Sequence, residues 1–162
     1  MELERFADFD KALKENLEGA VGEILEKGIH QGLFGGRGNK VCAIGFITTD
    51  DFYGFYLAWS YKKDDINNYY DWTNALYPAF LYQPLVDVVD NSKDIDLLRK
   101  SDEKWGFAEA LMTVLGENIK ALPDELFQKY GCCRENIKFF ATMSDGDYMQ
   151  EMLESSIRKF NT

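Results

Sequence analysis

Every position of Val41-Cys42-Ala43-Ile44-Gly45-Phe46-Ile47 is apolar, odd and even alike. Side chains of a strand alternate between two faces, so a strand of this composition is covered on both sides. The run Tyr53-Gly54-Phe55-Tyr56-Leu57-Ala58-Trp59 is also strand-like, with Tyr53, Phe55, Leu57 and Trp59 sharing one face. Thr49-Asp50-Asp51 between the two runs supplies a turn, which predicts an antiparallel hairpin.

Helices are expected on either side of this hairpin. Leu3, Phe6, Leu13, Leu17, Val21 and Ile24 recur at three- and four-residue steps or their sums among Glu and Lys, predicting an amphipathic helix that ends near Gly28. Ser101-Asp102-Glu103 has the chemistry of a helix start, followed by a buried stripe of Phe107, Leu111, Met112, Leu115 and Ile119. Pro123 opens a second short helix that Gly131 stops. Asn136 to Met143 reads as a strand, and Ser144-Asp145-Gly146-Asp147 as the cap of a last helix carrying Tyr148, Met152, Ile157 and Phe160. Between Asn67 and Pro84 aromatics mix with two prolines, and an irregular segment with short helices is expected. The expected fold is one α+β domain over residues 1–162, a small antiparallel sheet of three to four strands with helices packed on it, in the order α-β-β-α-α-β-α.

A chain of this length buries roughly 68–70% of its unfolded surface and needs neither disulfide nor metal to hold a core. The three cysteines, Cys42 and the adjacent Cys132 and Cys133, read as ordinary thiols of a reducing compartment. Acidic residues in the first positions do not resemble a signal peptide, and no apolar run approaches the roughly 18 residues of a membrane span. A cytoplasmic location is the expectation.

The charge is lopsided: 28 Asp plus Glu face 18 Lys plus Arg, a net charge of −10, alongside 12 Phe, 9 Tyr and 3 Trp. Between Asp50 and Leu98 there are nine Asp, three Lys and no Glu or Arg. Such a balance repels nucleic acid and anionic membranes and favours a basic protein partner. Asp carboxylates lose little rotamer freedom on docking and accept charge-assisted bonds from Lys or Arg, while tyrosines and tryptophans act as rigid anchors. The candidate partner-binding residues are therefore Asp50, Asp51, Asp64, Asp65, Tyr69, Tyr70, Asp71 and Trp72, with Tyr77 and Tyr82 as further anchors.

Catalytic signatures are sparse. Gly32 to Lys40 is glycine-rich, but it follows a helix and precedes a strand, the reverse of a phosphate loop, and lacks the Gly-Lys-Ser/Thr ending. His30 is the only histidine and sits at the expected helix exit, in a capping or exposed role. No His and Cys spacing suits zinc. Asp145 and Asp147, at the end of a strand, could hold Mg²⁺ or Mn²⁺ in a metal-dependent enzyme, although two acids there equally suit a helix start. No catalytic residue, cofactor or metal is assigned.

Two stretches resemble a bacterial family of small acidic domains of unknown function found beside polymorphic toxins and in contact-dependent inhibition loci. One runs from Ala43 to Asp51, with Gly54, Trp59 and Trp72; the other from Phe139 to Asp147, closing with Ser156-Ile157 and Phe160-Asn161. The resemblance implies an immunity protein that binds and neutralises a cognate toxin, with no catalytic residues to carry over. Charge points to a cationic toxin, a nuclease fitting best, occluded at its active site. The rival readings are the metal-dependent enzyme at Asp145 and Asp147 and a non-catalytic adaptor.

Overall fold

The structure, a computed structural model, describes residues 3–34, 40–62, 66–93 and 95–161. A 3-10 turn at Leu3–Phe6 leads into α1 (Ala7–Phe34). Leu13, Leu17, Val21 and Ile24 are buried along it, as the periodicity predicts, as are Phe9 and, in the 3-10 turn, Phe6. Leu3, at the start of that turn, is exposed instead. The helix also continues past Gly28. A helical glycine costs about 1 kcal/mol relative to alanine, a penalty that packing of the apolar face can exceed.

The hairpin forms as expected. Strands β1 (Ala43–Thr48) and β2 (Phe55–Ser60) pair antiparallel, with Ala43 opposite Ser60 and Thr48 opposite Phe55. Both faces of β1 are covered: Ile44 and Phe46 join Phe55, Leu57 and Trp59 in the main core beneath α1, while Ala43 and Ile47 join Ala58 in a smaller cluster on the other side. At the hairpin tip Phe52 has a φ of 59°, a left-handed conformation that costs a non-glycine residue on the order of 1–3 kcal/mol. Its ring compensates by lying fully buried, 5.3 Å from that of Phe107.

Strand β3 is two residues long (Ala75–Leu76) and pairs antiparallel with β2. Beyond it come α2 (Gln83–Asp90), α3 (Asp102–Lys120) and α4 (Asp124–Lys129), then β4 (Lys138–Met143) and α5 (Met149–Phe160). The Ser101 hydroxyl accepts from the Lys104 N–H (3.1 Å) and caps α3, and α4 stops before Gly131 at a φ of 69°. The sheet order is β3-β2-β1-β4, and β4 runs parallel to β1, Ala43 opposite Lys138. The sheet is thus mixed, not antiparallel. Parallel neighbours need a long crossover, and the chain through α2, α3 and α4 supplies it.

The minor face of the sheet is built around Gly45. A Cβ there would lie 2.4 Å from the ring of Phe140 on the neighbouring strand, so only glycine lets this ring lie flat across β1. Trp72 packs edge-on against Phe140 at 5.7 Å and Tyr69 lies 6.3 Å from it. Both come from the irregular segment that the prolines predicted, here a 3-10 turn at Ile66–Asp71 and its exit.

The outer edge of β4 is closed by side chains. Asn161 behaves as a surrogate strand residue: its Oδ1 accepts from Phe139 N–H (2.9 Å) and its Nδ2 donates to Phe139 O (2.7 Å). Two residues along, Ser156 Oγ accepts from Ala141 N–H (2.8 Å) and lies 3.0 Å from Ala141 O. Two further on, the Tyr69 hydroxyl donates to Met143 O (2.6 Å). Phe139, Ala141 and Met143 are the residues whose main chain faces away from β1, so of the row an edge strand would leave open, both groups of Phe139 and Ala141 and the carbonyl of Met143 are answered.

The turn Ser144–Asp147 does not cap α5 as expected. The residue before that helix is Tyr148, whose side chain makes no capping bond; its hydroxyl reaches back to Ser101 O (2.8 Å) and its ring is buried.

Candidate protein-docking surface

The candidate residues separate into two groups. Asp50 and Asp51 lie in the hairpin tip, but Asp50 faces inward and pairs with Lys104 Nζ. Lys104 is fully buried on the first turn of α3, its ammonium 5.9 Å from the centre of the Tyr148 ring. Asp50 is therefore the counter-ion of a buried charge, a correction to its expected part in surface display. Sequence reasoning missed Lys104. The signal was its place three and seven residues before Phe107 and Leu111, on the apolar stripe of α3. Asp51 accepts from the Thr49 hydroxyl and shapes the same turn.

Tyr69 is 6% exposed and its hydroxyl serves the β4 edge, so it is not the exposed anchor expected of it. Trp72 is half-buried against Phe140. Both are drawn inward because Leu153 and Ile157 of α5 cover only part of the minor face of the sheet, and these rings complete the cluster around Phe140. Asp64 and Asp65 lie outside the described residues; for Tyr70, Asp71 and His30 only the backbone is described.

The rings that do face solvent lie beside the hairpin. Tyr77 is 71% exposed and stacks on Tyr56, the residue opposite it across β2 and β3, at 5.2 Å. Burial and the neighbouring Tyr77 push the Tyr56 hydroxyl above its ordinary pKa. Tyr82 and Tyr53 are each about two-fifths exposed. The Tyr53 hydroxyl donates to Asp90 Oδ1 at the end of α2 (2.7 Å), and that bond to a carboxylate pushes its pKa up. A Cβ on Gly54 would meet the Cβ of Tyr82 at 2.3 Å, so the hairpin backbone rests directly on the start of α2. Asp87 and Asp90 are exposed on that helix. The exposed groups thus form a tyrosine pair, Tyr56 and Tyr77, at the β2–β3 edge, and a second set, Tyr53, Tyr82 and Asp90, where the hairpin tip meets α2.

Asp145 and Asp147 are exposed on the turn after β4. Among the described residues no group of three or more His, Cys, Asp or Glu is placed to share a metal ion. No helix among the described residues is long and apolar enough to cross a membrane. Cys42 is half-buried, Cys132 buried and Cys133 exposed, all as free thiols.

Comparison with known protein families, curated proteins and solved structures gives no match. The likeness to toxin-associated acidic domains therefore rests on the residues quoted for it, several of which have structural roles: Gly45, Trp72, Ser156 and Asn161 build the minor face and the β4 edge.

Proposed function

We propose that this chain is an immunity-type inhibitor, a cytoplasmic protein that binds a cationic toxin domain, in the first instance a nuclease, and covers its substrate groove. The supporting observation is the tyrosine-and-carboxylate surface of Tyr53, Tyr77, Tyr82, Asp87 and Asp90 on a molecule of net charge −10. Rigid rings give a docking surface anchors at low entropic cost, and the carboxylates attract and orient Lys and Arg of the partner. Asp87 and Asp90 replace Asp64 and Asp65 as the carboxylates to test, because Asp90 bonds the exposed Tyr53 and Asp87 lies three residues before Asp90 on α2.

The experiment takes the neighbouring reading frames of the gene and tests any basic domain they encode. The double variant Asp87→Lys and Asp90→Lys is expected to bind it at least about tenfold more weakly and to protect cells expressing it less well, while keeping a folded circular-dichroism spectrum. Full protection and wild-type affinity in that variant would remove this surface from the mechanism.

A further inference from the structure

The two edges of the sheet are treated in opposite ways. On β4, Asn161, Ser156 and Tyr69 answer outward main-chain groups of Phe139, Ala141 and Met143. Among the described residues nothing comparable is seen on β3. Trp59 N–H donates to Asn74 O (3.3 Å), which fixes the orientation of the third strand: Asn74 and Leu76 face β2, and the main chain of Ala75 and Tyr77 faces away from the sheet. Among the described residues no hydrogen bond reaches those outward groups of Ala75 and Tyr77. The most exposed large ring of the described residues, Tyr77, stands on this edge.

We propose that β3 is a docking edge for an extended, Lys- or Arg-bearing segment of a protein partner, which adds to the sheet as a further strand. The outward N–H and C=O groups of Ala75 and Tyr77 would pair with its main chain, and its basic side chains would lie over the Tyr56 and Tyr77 rings. Charge selects this occupant over a second copy of the chain. The molecule carries a net charge of −10, so two copies meeting edge to edge would repel, whereas a cationic strand is attracted. The shortness of β3 fits a selective edge, since two residues cannot hold a partner by main-chain bonds alone and side-chain complementarity must contribute. This inference deepens the proposed binding role and rests on it for the nature of the natural partner.

The test uses the full chain and a synthetic peptide of alternating valine and arginine, with alternating valine and glutamate as control. Backbone NMR and amide hydrogen exchange are followed at increasing peptide concentration. The arginine peptide is expected to shift and protect the amides of Ala75 and Tyr77 and leave those of Phe139 and Ala141 unchanged. Ala75→Pro removes an outward donor and no bond to β2, and is expected to weaken binding by about tenfold. Tyr77→Ala, which alters an exposed ring, provides a second variant with the same expected direction. Perturbation confined to other surfaces, equal binding of the glutamate peptide, or protection of Ala75 that appears with protein concentration alone would each overturn the proposal. The toxin role can fail separately: a neighbouring basic domain that does not bind would defeat it, while the peptide result still decides the edge.

Discussion

At the scale of single residues, the Lys104–Asp50 pair is the most consequential departure from the usual rule that lysine stays wet. Lys104 is fully buried, while its partner keeps 27% of its side chain exposed. Removing Asp50 leaves an ammonium without a counter-ion in the interior, whereas removing Lys104 leaves a carboxylate that water can still reach. Asp50→Asn is therefore expected to destabilise the protein by about 3 kcal/mol, and Lys104→Met by no more than about 1 kcal/mol. Chemical denaturation of the two variants checks the asymmetry; equal losses would show that the pair is not a buried charge held by one exposed partner. Asp50 is for the same reason a poor probe of any interface, since its replacement changes the fold's stability first. This pair was hardly legible in the sequence. Asp50 and Lys104 lie 54 positions apart, and an Asp at a hairpin tip usually points to water.

Among the elements, the last helix and the strand before it behave as one unit. Helix α5 runs along the edge of β4 and uses Ser156 and Asn161 to satisfy main-chain groups that another strand would otherwise take. Ser156→Ala or Asn161→Ala leaves such groups without a partner, at an expected cost of about 1–3 kcal/mol each. Because the freed edge can then template pairing between molecules, both variants are also expected to aggregate faster on mild heating, measurable by light scattering. Stability losses below a few tenths of a kcal/mol would show that water replaces these side chains without penalty. The sequence predicted the helix and the strand, because hydrophobic period is local, but the cap it placed at Ser144–Asp147 did not form. It did not predict the parallel pairing of β4 with β1, since strand order depends on how the crossover packs. Nor did it predict that Ser156 and Asn161 would bond to β4, because the register of a helix against a strand is set only once both are docked.

For the molecule as a whole, charge and shape act on different steps of association. In the proposed complex a net charge of −10 would raise the rate of encounter with a basic partner, and exposed rings such as Tyr77 and Tyr82 would set how long the complex lasts. The association rate with the basic toxin domain is expected to fall at least about tenfold between low salt and ~0.5 M salt, with a much smaller change in dissociation rate. Stopped-flow measurement separates the two, and a salt-insensitive association rate would count against charge steering. The docking surface was legible only in part. Composition announced surplus aromatics and clustered Asp, and Tyr77 and Tyr82 are exposed as the sequence reading anticipated. Which rings stay outside depended on the minor face of the sheet, which claimed Tyr69 and Trp72 to cover Phe140 and Gly45.

The left-handed Phe52 gives the hairpin tip its character. With its ring wedged beside Phe107 and its backbone held in a conformation it would not choose alone, the tip has few other shapes to sample. A visiting molecule would meet Asp51 and Tyr53 already posed, as a key meets a cut lock, and the ordering that recognition demands would have been completed during folding.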